Sequence, residues 1–208
     1  LRYAAFVYSA ASESKPIVSQ APQGITVAAN AGGVHVRVAG RGTFQNGQPL
    51  RRYAQERIDH GCGQFVIDLG ECLGMDSTFL GVLAGIGLRL NQSGKPGCVQ
   101  IINAGSRNTE LLQTLGLDRL FSINTGPGDH VVAHSLGNAS FQKLPDTDVG
   151  VPARPLSKHD TADLMLEAHD NLIRADQRNL TKFKDLTQFL RENVAKRATA
   201  EQSKPPTP

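Results

Sequence analysis

From Ile25 onward, apolar and polar positions alternate in a regular way. Ile25 to Ala29 runs into the turn-forming Asn30-Ala31-Gly32-Gly33, and Val34-His35-Val36-Arg37-Val38 then has every second residue apolar. A period of two buries one face of each segment and predicts a β-hairpin. Gly40 to Gln48, rich in glycine and polar residues, reads as a loop. Pro49 to His60 carries Leu50, Tyr53, Ala54, Arg57 and Ile58 at helical spacing, with Pro49 in the first turn and Gly61 at the end. Phe65-Val66-Ile67-Asp68-Leu69 is almost continuously apolar, as a strand covered on both faces would be. Ser77 to Asn91 predicts a second helix, Cys98 to Ile102 a strand, Thr109 to Leu115 part of a third helix, and Leu120 to Ile123 a short last strand. The order is ββαβαβαβ, an α/β fold in which helices pack on a small mixed sheet.

Beyond Asn124 the pattern changes. Gly126-Pro127-Gly128, Pro145, Pro152 and Pro155 punctuate a linker over 125–157, with an extended segment near Val131-Val132. Leu164, Ala168, Leu172, Ala175, Phe183, Leu186, Leu190 and Val194 then recur every three or four residues and predict a long amphipathic helix over 158–198. Ser157 to Asp160 can cap it, and acidic residues crowd its first half while Arg191, Lys196 and Arg197 lie near its end, which suits the helix dipole. Its heptad register slips at Asp176 and Asn179, against a long coiled coil. Its apolar face serves either its own domain or a homodimer or partner contact. The α/β domain spans 21–124. Residues 1–20 and 199–208 read as disordered tails; Leu1 to Ala11 imitates a signal peptide, but its apolar part is short and interrupted.

Charge narrows the function classes. The 22 Lys and Arg face 19 Asp and Glu, a net charge of +3, with neither half strongly basic or acidic. A phosphate-tracking nucleic-acid binder or a polybasic membrane segment would concentrate its basic residues. Tryptophan is absent and aromatics make up 5%, leaving little for base-stacking platforms. The longest uncharged apolar stretch, Ser77 to Leu88, is well short of the ~20 residues that span a bilayer. Cys62, Cys72 and Cys98 lack the paired spacing of a structural zinc site and read as reduced, buried thiols.

Few residues carry an enzymatic pattern. Ser77 lacks the Gly-x-Ser-x-Gly elbow of a hydrolase, and nothing in the spacing pairs it with His130 or His134. His130 and His134 lie four apart but in a Gly- and Pro-broken region, without the Glu of a zinc helix. His159 and His169 read as decoration of the C-terminal helix. Gly61-x-Gly63 and Gly85-x-Gly87 lack the rest of a dinucleotide fingerprint, and Gly81 and Gly85 read as allowing their helix to pack closely on the sheet. The informative stretch is Asp68-Leu69-Gly70-Glu71-Cys72-Leu73-Gly74-Met75-Asp76-Ser77-Thr78-Phe79-Leu80-Gly81-Val82-Leu83, where a strand ends, a loop turns and Asp-Ser opens a helix. Ser77 stands at or beside the N-cap.

Strand, short loop, apolar residue, Asp-Ser and an apolar Gly-containing helix resemble the signature of the STAS domain of bacterial anti-sigma factor antagonists. Gly116-Leu117-Asp118-Arg119-Leu120-Phe121 resembles the segment by which such domains leave their third helix, and the resemblance covers about residues 22–123. Two departures touch the partner face: Phe79 stands where the family commonly has Gly, and Gly42 to Asn46 lacks the usual acidic turn residue. The resemblance implies phosphorylation at Ser77 and partner binding through Asp76, Ser77, Thr78 and Phe79. It also implies a cytoplasmic regulator of transcription that binds an anti-sigma factor with serine kinase activity and is reset by a serine phosphatase. No catalytic residue, cofactor or metal is implied. The alternative within the family is an accessory or scaffold module of a lipid-trafficking transporter or a signalling assembly, with Ser77 a silent cap.

Overall fold

A computed structural model describes residues 23–30, 32–92, 98–124, 140–144 and 157–202. Strands β1 (Gly24–Asn30) and β2 (Gly33–Gly42) form the expected antiparallel hairpin, with Val27 opposite Val36. Helix α1 (Phe44–Asp59), strands β3 (Gln64–Asp68) and β4 (Cys72–Met75), helix α2 (Ser77–Gln92) and strand β5 (Cys98–Ile102) follow. Helix α3 (Ser106–Thr114), strand β6 (Ser122–Asn124) and strand β7 (Gln142–Lys143) complete the sheet, and α4 (Lys158–Ala175) and α5 (Leu180–Gln202) end the described chain. The sheet order is β6-β5-β3-β2-β1-β7, with β4 beside the end of β2. β1 lies antiparallel between β2 and β7, and the remaining pairs are parallel, so the sheet is mixed.

The period-two pattern fixes which residues meet the helices. Ile25 and Val27, Val34 to Val38 at alternate positions, Phe65 and Ile67, and Val99 and Ile101 join Leu50, Phe79, Leu80, Leu83, Leu90 and Leu112 in one core. Phe65, Val66 and Ile67 are all buried, as a central parallel strand requires. On the opposite side of β2, buried His35 packs edge-on against Phe141 at 5.2 Å between ring centroids, and Arg37 lies over the same ring. Burial pushes the His35 imidazole below its ordinary value, against Asp68 which raises it, while Arg37 adds to the lowering.

The ββαβαβαβ order holds, with β4 added where the sequence reads as loop. Helix α1 starts earlier than its apolar spacing indicates, placing Pro49 inside the helix and not in its first turn. One local and one distant polar group fix that start: Thr43 N–H donates to Asn46 Oδ1 at 2.8 Å, and Phe44 N–H donates to Asp76 Oδ2 at 3.0 Å. β7 falls within the stretch that reads as linker and continues as an edge, with Leu144 N–H donating to the Ile25 carbonyl at 2.7 Å.

The C-terminal amphipathic stretch is present and packs on its own domain as two helices. Ser157 caps α4 as expected: Ser157 Oγ accepts from Asp160 N–H and Ser157 N–H donates to Asp160 Oδ2, both at 3.1 Å. The chain breaks where the register slips. Asp176 accepts from Arg178 N–H at 2.9 Å and from its guanidinium, which holds the Asp176 carboxyl down at about 2. Fully buried Asn179 donates to the carbonyls of Leu115 and Leu172, each at 2.9 Å, anchoring the turn to the end of α3. α5 then folds back on α4, continues to Gln202 into the stretch read as a tail, and exposes Leu180, Leu186 and Phe189. Residues 1–20, Val131-Val132, His130 and His134 lie outside the described residues.

Candidate functional site

The site is the start of α2, where β4 delivers Asp76 and Ser77 beside the end of β2. Asp76 is the cap. Its Oδ1 accepts from Phe79 N–H at 2.8 Å, and its main-chain N–H donates to the Gly42 carbonyl at 2.9 Å. Because Oδ2 also serves the first N–H of α1, a single carboxylate satisfies groups at two helix starts. Ser77 is consequently the first residue inside the helix, and its hydroxyl is not needed for capping.

That hydroxyl meets α4. Ser77 Oγ lies 3.0 Å from His169 Nε2, and His169 Nδ1 lies 2.6 Å from the Met165 carbonyl one turn back. A carbonyl only accepts, so Nδ1 carries a proton, and in the neutral ring Nε2 accepts from the serine O–H. His169 is 2% exposed and is braced from behind by Phe183 of α5, edge-on at 4.8 Å. Far from decorating the helix, it lies on the buried side of α4 with Ala168 and Leu172. A serine bonded to an oriented imidazole is also the arrangement that activates a nucleophile. Here His169 is buried in a packed helix–helix contact and Ser77 is half-buried at its edge. A cavity of about 150 Å3 nearby, lined by residues such as Arg51, Val82, Arg89 and Asn171, includes neither Ser77 nor His169.

Small residues on α2 admit α4. A Cβ on Gly81 would meet the Ala168 carbonyl carbon at 2.5 Å and its Cα at 2.7 Å, and one on Gly85 would meet Asn171 Nδ2 at 2.6 Å. These glycines accommodate α4, not the sheet, because they fall on the outer side of α2 in line with Ser77. Asn171 Nδ2 reaches the Gly81 carbonyl at 3.4 Å, and Arg51 of α1 pairs with Glu167 of α4 at 2.6 Å.

Of the four residues expected to face a partner, the structure brings Asp76 and Ser77 to a partly open helix start and turns the other two inward. Thr78 is buried, and Phe79 is fully buried in the core. The space for Phe79 comes from Gly42, where a Cβ would lie 2.5 Å from the ring. Phe79 is therefore a packing residue that fills the space left by a glycine in the neighbouring turn. Leu73, on the strand leading into the site, is 67% exposed and is the apolar side chain that local reading passed over. Cys62 and Cys72 are free and half-buried, and burial pushes the Cys72 thiol up. Among the described residues no group of His, Cys, Asp or Glu could hold a metal ion, and no helix is long and apolar enough to cross a membrane.

A mixed sheet with an Asp-Ser helix start at the end of a short strand defines the class as an α/β module with helices packed on a small sheet. Residues 25–123 match the family model described as "Mlab, STAS domain". Among solved structures, an anti-sigma factor antagonist from Mycobacterium paratuberculosis is similar at 23% identity and a TM-score of 0.45, over 56% of this chain and 97% of its own. The unphosphorylated anti-sigma factor antagonist SpoIIAA is similar at 14% identity and a TM-score of 0.45, over 54% and 98%. The phosphorylated form of SpoIIAA, a Bacillus cell fate determinant, is similar at 14% identity and a TM-score of 0.43, over 53% and 98%. No curated protein matches the chain in sequence.

Proposed function

We propose that the chain is an anti-sigma factor antagonist that acts by partner switching. With Ser77 unmodified it binds an anti-sigma factor that is also a serine kinase, and so frees a sigma factor. Phosphorylation of Ser77 ends that binding, and a serine phosphatase restores it. The observation that carries this reading is the Ser77 hydroxyl at the first position of α2, free of capping because Asp76 caps the helix, in a segment that matches the STAS family model. A phosphate there adds about −1.5 to −2 charge at a helix N-terminus, where the dipole tolerates it, and presents it beside Asp76 to any partner. Asp76, Ser77 and exposed Leu73 form the contact surface, and Thr78 and Phe79 act from beneath it. The role belongs in the cytoplasm and needs no cofactor or catalytic residue.

The test has two arms. Mass spectrometry of the protein incubated with its cognate kinase should find phosphate on Ser77. In binding assays Ser77→Ala should retain the anti-sigma factor while Ser77→Asp loses at least tenfold. Equal affinities, or an unmodified Ser77 with an active kinase, refute the switch. A second reading, an accessory or scaffold module, is favoured by one observation: the Ser77 hydroxyl is satisfied within the chain by His169.

A further inference from the structure

We propose that the α4–α5 hairpin is a built-in lid on α2, and that a phosphate on Ser77 and the docked lid exclude one another. The proposal rests on the reading of Ser77 as phosphoacceptor only for the event that places the phosphate; the exclusion itself follows from geometry. Three contacts seat the lid along one line of α2: His169 on Ser77, the Ala168 main chain over Gly81, and Asn171 over Gly85. At its base, Asn179 holds the Leu115 carbonyl, Lys182 Nζ reaches the Thr114 carbonyl at 2.7 Å, and Asp176 fills the space a side chain on Gly116 would take. The base is thus tied to α3, well away from Ser77, while the seat lies on α2.

Transfer to Ser77 forms an Oγ–P bond as the terminal P–O bond of a nucleoside triphosphate breaks. The electron pair goes to the departing diphosphate and the hydroxyl proton to the kinase. The phosphoryl group needs the space that His169 Nε2 occupies 3.0 Å from Oγ. The ring is held in place, because the Met165 carbonyl engages Nδ1 and Phe183 packs on it in a T-shaped contact. Burying a doubly charged group in that contact is costlier than lifting the helix, which returns the phosphate to water. By linkage, the docked lid disfavours phosphorylation by the factor with which the phosphate disfavours docking. A kinase therefore acts on the open form, and the modified protein stays open.

The test uses the full chain with phosphoserine installed at position 77 during translation, so no kinase is required. Hydrogen–deuterium exchange of residues 158–175 should rise at least tenfold over the unmodified chain, while β3 and β5 keep their protection. Unchanged exchange in α4 overturns the exclusion. Ala168→Glu supplies an independent opening: with Ser77 unmodified it should expose α4 and speed phosphorylation by the cognate kinase at least tenfold, and an equal rate in an opened variant overturns the lid. Should the phosphoserine chain open while Ser77 is never modified in cells, the lid stands and partner switching falls.

Discussion

Replacing Gly81 by alanine separates the two halves of the molecule, because it strengthens one and dislodges the other. A methyl group there would lie 2.5 Å from the Ala168 carbonyl carbon and 2.7 Å from its Cα. Both are backbone atoms, so no side chain can yield, and restoring ordinary carbon contacts of about 3.5–4.0 Å requires α4 to retreat by about 1 Å. That retreat loosens Leu164, Ala168 and Leu172, each at most 2% exposed. Overpacking of this kind costs about 1–3 kcal/mol, whereas Gly to Ala within a helix gains about 1 kcal/mol. α4 should therefore undock by about 1–3 kcal/mol while α2 and the sheet hold or gain. At about 1.4 kcal/mol per tenfold, amides in α4 should exchange about 5- to 140-fold faster, with β3 and β5 at wild-type rates or slower. Gly85→Ala is the control: its methyl meets the end of the Asn171 side chain, which can turn away, so α4 should change little. Wild-type exchange of α4 in Gly81→Ala, or uniform loss of protection across both halves, would refute the close contact.

A double-mutant cycle on Ser77 and His169 should give a coupling of about 1 kcal/mol in urea unfolding, and additivity within about 0.3 kcal/mol would mean no bond. Asp76→Ala should cost more than the ~1 kcal/mol usual for a cap, since Phe44 N–H loses its acceptor too, and Asp76→Asn should recover most of it; a loss below about 0.5 kcal/mol would contradict the shared role. Burial lowers the His35 pKa from 6.5, so the fold has its full share of stability above pH 6.5 and loses it as pH falls from there toward the folded-state value. His35→Leu should flatten that part of the curve of urea midpoint against pH, and an unchanged curve would remove His35 as the cause.

How far the sequence foretold the molecule depends on whether a feature is written in local periodicity. The hairpin, the buried strands around Phe65 and Ile101, and the capped start at Ser157 follow from spacing and composition within a few residues. β4 does not, because four residues containing Gly74 and pairing only with the end of β2 carry too little alternation to register. β7 is shorter still and exists through its partner β1. α1 begins early through a carboxylate 32 positions away, a contact no window of sequence contains. His169 is the instructive omission: it falls four residues after Met165 and three before Leu172, within the apolar stripe, so its burial was legible although its contact with Ser77 was not.

The role of Ser77 turns on the residue before it. Had serine been the cap, its hydroxyl would be committed to helix N–H groups, and adding a phosphate would exchange one acceptor for another without freeing anything. With Asp76 as cap, the helix start is complete, and the Ser77 hydroxyl is left for a group outside the domain's own backbone. In this structure that group is His169 of α4, held close because Gly81 lets two backbones approach. On the proposed reading, a partner, a kinase and α4 compete for one hydroxyl at the end of one helix. Such competition converts a single local charge into a choice of surfaces, without any change in the sheet beneath. Phe79 belongs to the layer beneath: its ring is fully buried and packs into the space that Gly42 leaves.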